Sequence, residues 1–209
     1  MTEWAPKRFW TSAEARATDR GFGVALDGRP VRTPAKTVLF VPSEALAARI
    51  AQEFDAQADR IDPRTMPFTR TANAAIDKVM IQHAEVADML ADYGDSDLLC
   101  YRADAPDELV GRQKAIWDPL LDWAETELGV RLETRVGIMH AAQDPAAVAH
   151  LRRQVHEMTA FELAAFHDLV AISGSLIIGF AAKAGAKPIE ELWTASRVDE
   201  LWQQEQWGE

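Results

Sequence analysis

Histidine and glutamate residues that could support metal or acid–base chemistry occur without a complete catalytic pattern. His156-Glu157 begins like the zinc-binding helix of a metalloprotease, but Ala160 stands where the second histidine would have to lie. His150, His156 and His167 are spaced too widely to share one helix face, so we interpret them as packed or surface residues. The sequence therefore predicts no zinc hydrolase and no bound metal.

The acidic, serine and cysteine residues give no clearer reaction centre. Asp95 and Asp97 are too few for a hard cation, which takes about six oxygen ligands, so we expect turn and capping roles. Gly174-Ser175 lacks the second glycine of a nucleophile elbow and is expected inside an apolar helix. If the chain were an enzyme with an unrecognised site, the first candidates would be Asp95, Asp97, Cys100 and His167.

The glycines do not form a nucleotide-binding loop. Gly21, Gly23 and Gly28 match neither the dinucleotide fingerprint nor a phosphate-binding loop, and no Lys-Ser/Thr pair follows them. We therefore expect no nucleotide and no other cofactor, and the chain is predicted not to be an enzyme.

Tryptophan is the more informative residue type, because it is enriched in cores and in protein interfaces. The chain has seven tryptophans. Near its end, a predicted helix over residues 188–207 carries one ladder of side chains at helical spacing: Ile189, Trp193, Ser196, Glu200, Gln203 and Trp207. This ladder predicts a partner-binding face that includes Trp193, Glu200 and Trp207. Asp199, the neighbour of Glu200, is counted with them as a candidate partner-binding residue. The alternative is that Glu200 pairs within the chain, for example with Arg197.

Composition favours an ordinary folded protein. The chain has 209 residues, of which 48% are hydrophobic and 26% are charged, and its net charge is −11. This negative charge repels phosphate backbones and anionic lipids, which argues against nucleic acid as a partner. Residues 169–182 form the most apolar segment, which is too short to cross a bilayer comfortably, so we expect a buried helix and no membrane insertion.

The cysteine content and the amino terminus indicate a cytoplasmic protein. Cys100 is the single cysteine and lies in an apolar run, so we expect a buried thiol in a reducing compartment. Residues 1–10 include Glu3 and have no continuous apolar stretch, unlike a secretory signal or an Arg-rich transit peptide.

The first part of the chain predicts a small sheet with one helix. Residues 22–26 and 31–33 flank Asp27-Gly28, a dipeptide suited to a tight hairpin turn. Residues 37–41 are rich in β-formers, and Ser43 can cap a helix that continues through Phe54. Prolines at 63 and 67 interrupt the periodicity, so we place a domain boundary after Phe68.

The rest of the sequence predicts helices. They cover residues 72–93, 107–128, 144–156, 161–184 and 188–207, with stops at Gly94, Gly129 and Gly185. The predicted fold class is α+β: a small β-rich domain over residues 1–68 with one helix, followed by a larger all-helical domain over residues 69–209.

Several short motifs resemble one family along nearly the whole chain. They are Arg8-Phe9-Trp10, Leu26-Asp27-Gly28-Arg29-Pro30, Thr33-Pro34, Pro42-Ser43, Leu46-Ala47, Met66-Pro67-Phe68-Thr69, Ala75-Ile76-Asp77, residues 97–102, Trp117-Asp118-Pro119-Leu120, Gly174-Ser175-Leu176, Asp199-Glu200, Gln203 and Trp207-Gly208. In these residues the chain resembles the assembly chaperones that attend the alpha subunit of ATP synthase in mitochondria and related bacteria.

This resemblance implies the same two-part fold and a non-enzymatic function. The implied partner is the free alpha subunit of the catalytic head, whose beta-facing surface would be shielded until assembly. It also implies a cytoplasmic location in bacteria and a mitochondrial matrix location for eukaryotic relatives. We expect the free chaperone to be monomeric. The alternatives are a general holdase for apolar segments and an enzyme with an unrecognised site.

Overall fold

A computed structural model describes residues 7–208, and the contacts between residues divide this part of the chain into two units. The first unit extends to His83 and also includes Thr159–Ala164. The second contains Ala84–Met158 and everything from Ala165 onward. The proline-marked break at 60–68 lies inside the first unit, so a domain boundary after Phe68 stays a prediction.

The first unit begins with an antiparallel sheet. Its strands are β1 (Ala13–Thr18), β2 (Gly21–Leu26) and β3 (Arg29–Pro30), paired in that order. Asp27 and Gly28 form the turn between β2 and β3 with φ values of 47° and 82°. Both central residues of this tight hairpin turn need positive φ, which Asp tolerates and Gly adopts freely. The predicted turn and its first strand are confirmed, but the returning strand is Arg29–Pro30 where residues 31–33 were predicted, and β1 was not predicted.

The β-rich run at residues 37–41 pairs with the sheet only at isolated positions. Val41 and Phe22 exchange both backbone hydrogen bonds, and Val38 lies opposite Arg32. Gly21 permits this approach, because a Cβ there would lie 2.6 Å from the Val41 carbonyl oxygen.

Two helices pack in this unit. They are α1 (Glu44–Asp55) and α2 (Pro67–Ala74). The Ser43 side chain accepts the Leu46 amide hydrogen, so the predicted cap of α1 is confirmed. The α2 helix has no cap of its own; instead, the buried Glu53 carboxylate of α1 accepts the amide hydrogens of Phe68 and Thr69 at 2.7 and 2.8 Å.

The second unit is mainly helical. Its helices are α3 (His83–Ala91), α4 (Asp107–Trp123), α5 (Pro145–His156), α6 (Ala160–Ser173), α7 (Leu176–Ala184), α8 (Ile189–Ser196) and α9 (Val198–Trp207), with the first residues of α3 and α6 grouped in the first unit. Two strands, β4 (Tyr101–Arg102) and β5 (Arg135–Val136), form one short parallel pair. The α+β fold class, with strands first and helices after, is confirmed. Among the described residues of the second unit, all named strand residues belong to this short pair.

Three predicted helices are interrupted. Residues 72–93 divide into the end of α2, a wider turn at Ala75–Val79, and α3. Gly174 has φ of 68° and ends α6, while Ser175 caps α7 by accepting the Ile178 amide hydrogen. The prediction that Gly174-Ser175 lies inside a helix is therefore wrong, because a residue in the left-handed region ends the hydrogen-bond ladder. The third interruption, at Arg197, separates α8 from α9.

A buried carboxylate organises the junction before α7. Asp97 is fully buried and accepts the amide hydrogens of Leu99 and Ile177, each at 3.0 Å. Because Ile177 lies in the first turn of α7, the carboxylate occupies the end of the helix where free amide groups favour negative charge. The capping role expected for Asp97 is confirmed.

The buried core and the apolar segment agree with a folded protein. Residues 176–181 are buried in α7, as expected for the most apolar stretch. Within residues 7–208, no helix is both long enough and apolar enough to cross a bilayer.

Candidate partner-binding surface

The four residues predicted to bind a partner do not share one helix face. At Arg197 the backbone has φ −120° and ψ 20°, which ends α8 before α9 begins at Val198. The ladder from Trp193 to Trp207 assumed one straight helix, so the prediction of one face is wrong. No glycine or proline marks this break in the sequence.

Glu200 and Trp193 are instead connected through the arginine at the break. The Arg197 Nε donates to a Glu200 carboxylate oxygen at 2.8 Å, and its guanidinium carbon lies 5.3 Å from the centre of the Trp193 ring. The side chain of Glu200 is 66% exposed. The alternative that Glu200 pairs with Arg197 is therefore what the free protein adopts. Such an exposed pair contributes only about 0–1 kcal/mol, so it leaves Glu200 available to another cation.

Asp199 and Trp207 belong to a groove, which we call the Trp207 groove. Its lining along α9 is formed by Asp199, Trp202, Gln203, Gln206 and Trp207. Elsewhere the lining includes Tyr101, Pro106 and Leu109. The groove encloses about 970 Å³, the upper size range of ligand sites. Asp199 accepts a hydrogen bond from the Gln113 Nε2 at 2.7 Å, which fixes α9 against α4.

A loop that sequence reasoning missed lies at this groove. Val136, Ile138 and Met139 are 70%, 91% and 81% exposed, and Ile138 lines the Trp207 groove. The Gly137 amide donates to the Arg102 carbonyl at 2.8 Å, which anchors the loop beside β4. Trp207, at 80% exposure, presents a further apolar side chain. Three exposed apolar residues within four positions exceed the scattered exposure usual on a soluble surface.

Trp193 belongs to a second and separate groove, which we call the Trp193 groove. It encloses about 480 Å³ among α6, α7 and α8. Its exposed large apolar members are Ile172, Ile189 and Trp193. Glu200 lines neither groove as described.

Three other described tryptophans are buried in the core or line the first groove. Trp10 and Trp117 are buried, and the Trp117 indole donates to the Ala195 carbonyl at 2.7 Å. Trp202 lies beneath the Arg112 guanidinium, 5.1 Å from the ring centre. Trp4 lies outside the described residues.

The candidates for an unrecognised enzyme site have separate roles. Asp97 caps α7, and Asp95 accepts the Gln143 amide hydrogen at 2.7 Å. His167 is bonded to its neighbour Asp168 at 3.2 Å. Cys100 is buried, and this burial raises the pKa of its thiol to about 12, so the nucleophilic thiolate is disfavoured. Over residues 7–208, no three His, Cys, Asp or Glu residues are grouped to hold a metal ion.

Comparison with known proteins gives a consistent assignment. Residues 7–125 match the model of the ATP12 chaperone protein family. The protein named "Protein atp12, mitochondrial" from Schizosaccharomyces pombe is 27% identical over 214 residues, which cover 97% of this chain and 74% of that protein.

Solved structures agree along the whole described fold. The crystal structure of Atp12 from Paracoccus denitrificans is 48% identical, with a TM-score of 0.95 over 99% of this chain and 88% of that one. A point mutant of the P. denitrificans protein superimposes with a TM-score of 0.93, also at 48% identity, over 97% of this chain and 86% of that one. With its family match, its fold and these relatives in agreement, the chain belongs to the ATP12 chaperone family.

Proposed function

We propose that this chain is an assembly chaperone that binds the free alpha subunit of the catalytic head of ATP synthase and shields its beta-facing surface. Family membership and the resemblance of its motifs support this function. The structural observation that supports it is the exposed apolar surface formed by Trp207 and the 136–139 loop around one groove. This function requires no bound cofactor and no chemical step.

The exposed apolar surface suits such a partner. An unassembled subunit exposes the apolar surface of an obligate interface, and such surfaces aggregate. Tryptophan contributes strongly to binding when it becomes fully buried, and Trp207 has most of its surface left to bury. The beta subunit could then displace the chaperone by competition, since binding equilibria follow mass action.

We assign the acidic residues a role in orientation. Asp199 and Glu200 place two carboxylates in the first turn of α9. Of the two, only Asp199 lines the Trp207 groove. A cation on the alpha subunit would compete with Arg197 for Glu200, which is exposed and weakly held. Trp193 contacts the same arginine, so we include it as a partner-binding residue. A cytoplasmic location and a monomeric free state stay predictions.

Selective capture tests the identity of the partner. Immobilised chaperone should retain free, folded alpha subunit in preference to beta subunit from an equimolar mixture. Equal retention of both subunits, or retention only after denaturation, would contradict this proposal and favour a general holdase.

Glu200→Gln tests the binding residue, because it preserves size and removes the charge. The melting temperature should be nearly unchanged, since the Arg197 pair is exposed. The binding free energy for the alpha subunit should weaken by ~2 kcal/mol if Glu200 forms a buried pair with a cation of that subunit. Glu14→Gln is the matched control, because it removes another exposed carboxylate paired with an arginine, Arg16, at 3.0 Å. A destabilised Glu200 variant with normal affinity would defeat the interface role.

A further inference from the structure

The Trp193 groove is mainly apolar. Three helices line it, with Leu169 and Ile172 from α6, Ile178 from α7, and Ile189 and Trp193 from α8. Ile172 is 67% exposed and Ile189 is 55% exposed. The α6 helix is apolar around most of its circumference, although only one side packs into the core. A helix of that composition is normally covered on all sides.

The charges on the groove are of one sign. Its lining contains two carboxylates, Asp168 and Glu190, and no lysine or arginine. Asp168 is bonded to its neighbour His167, and no hydrogen bond or ion pair is found for the Glu190 carboxylate among residues 7–208. Arg197 stacks on Trp193, but its charge is offset by Glu200. A complementary ligand therefore brings positive charge to the rim.

The helical walls of the groove also favour one backbone conformation in its ligand. All three walls are helices, whose backbone groups are bonded internally, so the groove offers no strand edge to an extended peptide. An occupant must satisfy its own backbone hydrogen bonds where it becomes buried. A helix does this, and its side chains at i, i+3 or i+4, and i+7 present a ridge that fits an apolar groove.

We propose that the Trp193 groove binds an amphipathic helical segment of a partner protein, with lysine or arginine flanking its apolar ridge. This site is separate from the Trp207 groove, and it does not depend on the alpha subunit being the partner.

The test uses a synthetic helical peptide of about 18 residues, long enough to be partly helical alone. It carries leucines at i, i+3, i+4 and i+7 with flanking lysines. One control peptide has the same composition with the leucines distributed around the helix, and a second has glutamate in place of lysine. Titration with ¹⁵N-labelled protein should shift the Trp193 indole signal with the first peptide, and at least tenfold weaker binding is expected for both controls.

Protein variants locate the site. Ile172→Lys should weaken binding of the peptide roughly tenfold or more, because it places a cation in the groove. Glu190→Lys should weaken binding several-fold and reduce its dependence on salt. Ile138→Lys is the matched control, since Ile138 is also exposed but lines the other groove. The affinity of this variant for the peptide should be unchanged. Ile172 is exposed, so folding should survive, and Trp193→Ala provides a second variant.

Three outcomes would overturn the proposal. Equal binding of all peptides would show a nonspecific apolar surface. Equal weakening by Ile172→Lys and Ile138→Lys would place the peptide elsewhere. Self-association of the chain that Ile172→Lys abolishes, measured by sedimentation, would show that a second copy occupies the groove.

Discussion

Tryptophan has opposite roles in the core of the helical unit and on its carboxy-terminal surface. Trp117 is 1% exposed and its indole donates to the Ala195 carbonyl, so it holds the end of α8 against α4. Trp207 is 80% exposed at the end of α9. The difference shows that the buried tryptophan contributes to the stability of the fold, whereas the exposed one remains available for association.

The largest expected effect would separate these two roles directly. Trp117→Ala should lower the free energy of unfolding by about 3–5 kcal/mol, because it removes buried contacts and a buried hydrogen bond. Trp207→Ala should change it by less than ~0.5 kcal/mol. Urea denaturation of both variants measures the difference. Similar losses of stability in both would contradict the division between core and surface.

A second comparison concerns carboxylates, and it predicts a pH dependence. Burial raises the pKa of Asp97 to about 6, against an unfolded value near 4. Between these values the folded chain retains a proton that the unfolded chain has released. The free energy of unfolding should therefore fall as pH rises from about 4 to about 6, by up to ~3 kcal/mol from this residue.

Urea midpoints measured across this pH range isolate the contribution of Asp97. Asp97→Asn should remove this contribution, so the difference in free energy of unfolding between the variant and the wild type should change with pH. Glu200→Gln, which alters an exposed carboxylate, should leave the dependence unchanged. Parallel profiles for wild type and the Asp97 variant would show that the buried carboxylate does not titrate in this range.

The smallest expected effect compares a helix junction with a helix surface. Gly174 ends α6 with φ of 68°, and Gly174→Ala should destabilise the protein by ~1 kcal/mol because alanine is strained there. Gly111 lies exposed within α4 with open space around it, and Gly111→Ala should stabilise by roughly 0.5–1 kcal/mol. Thermal unfolding measures the sign of the stability change in each variant. If both variants were stabilised, the junction would tolerate alanine.

Local chemistry made much of the fold predictable. Asp27-Gly28 forms the hairpin turn, Ser43 caps α1, and Asp144 caps α5 by accepting the Ala146 amide hydrogen. Each depends on residues within a few positions of one another. The α+β class follows from such local signals combined with hydrophobic periodicity.

The interruptions and the binding surface were less predictable. Helical spacing continues across Arg197, and apolar residues continue across Gly174, so periodicity alone gave one helix where the chain forms two. The exposure of Val136, Ile138 and Met139 depends on how their loop is anchored at Arg102, which no local pattern reveals. Only the structure shows that Asp199 and Trp207 line one groove, that Trp193 lines another, and that Glu200 lines neither.

The contact between Glu53 and α2 has a consequence for local opening. The first turn of α2 is held by a carboxylate on α1, and no side chain of its own replaces that contact. If α1 unfolds, Phe68 and Thr69 lose the acceptor for their amide hydrogens. We therefore expect the two helices to open together, and we expect the structure of the Met66-Pro67-Phe68-Thr69 segment to depend on the helix that precedes it.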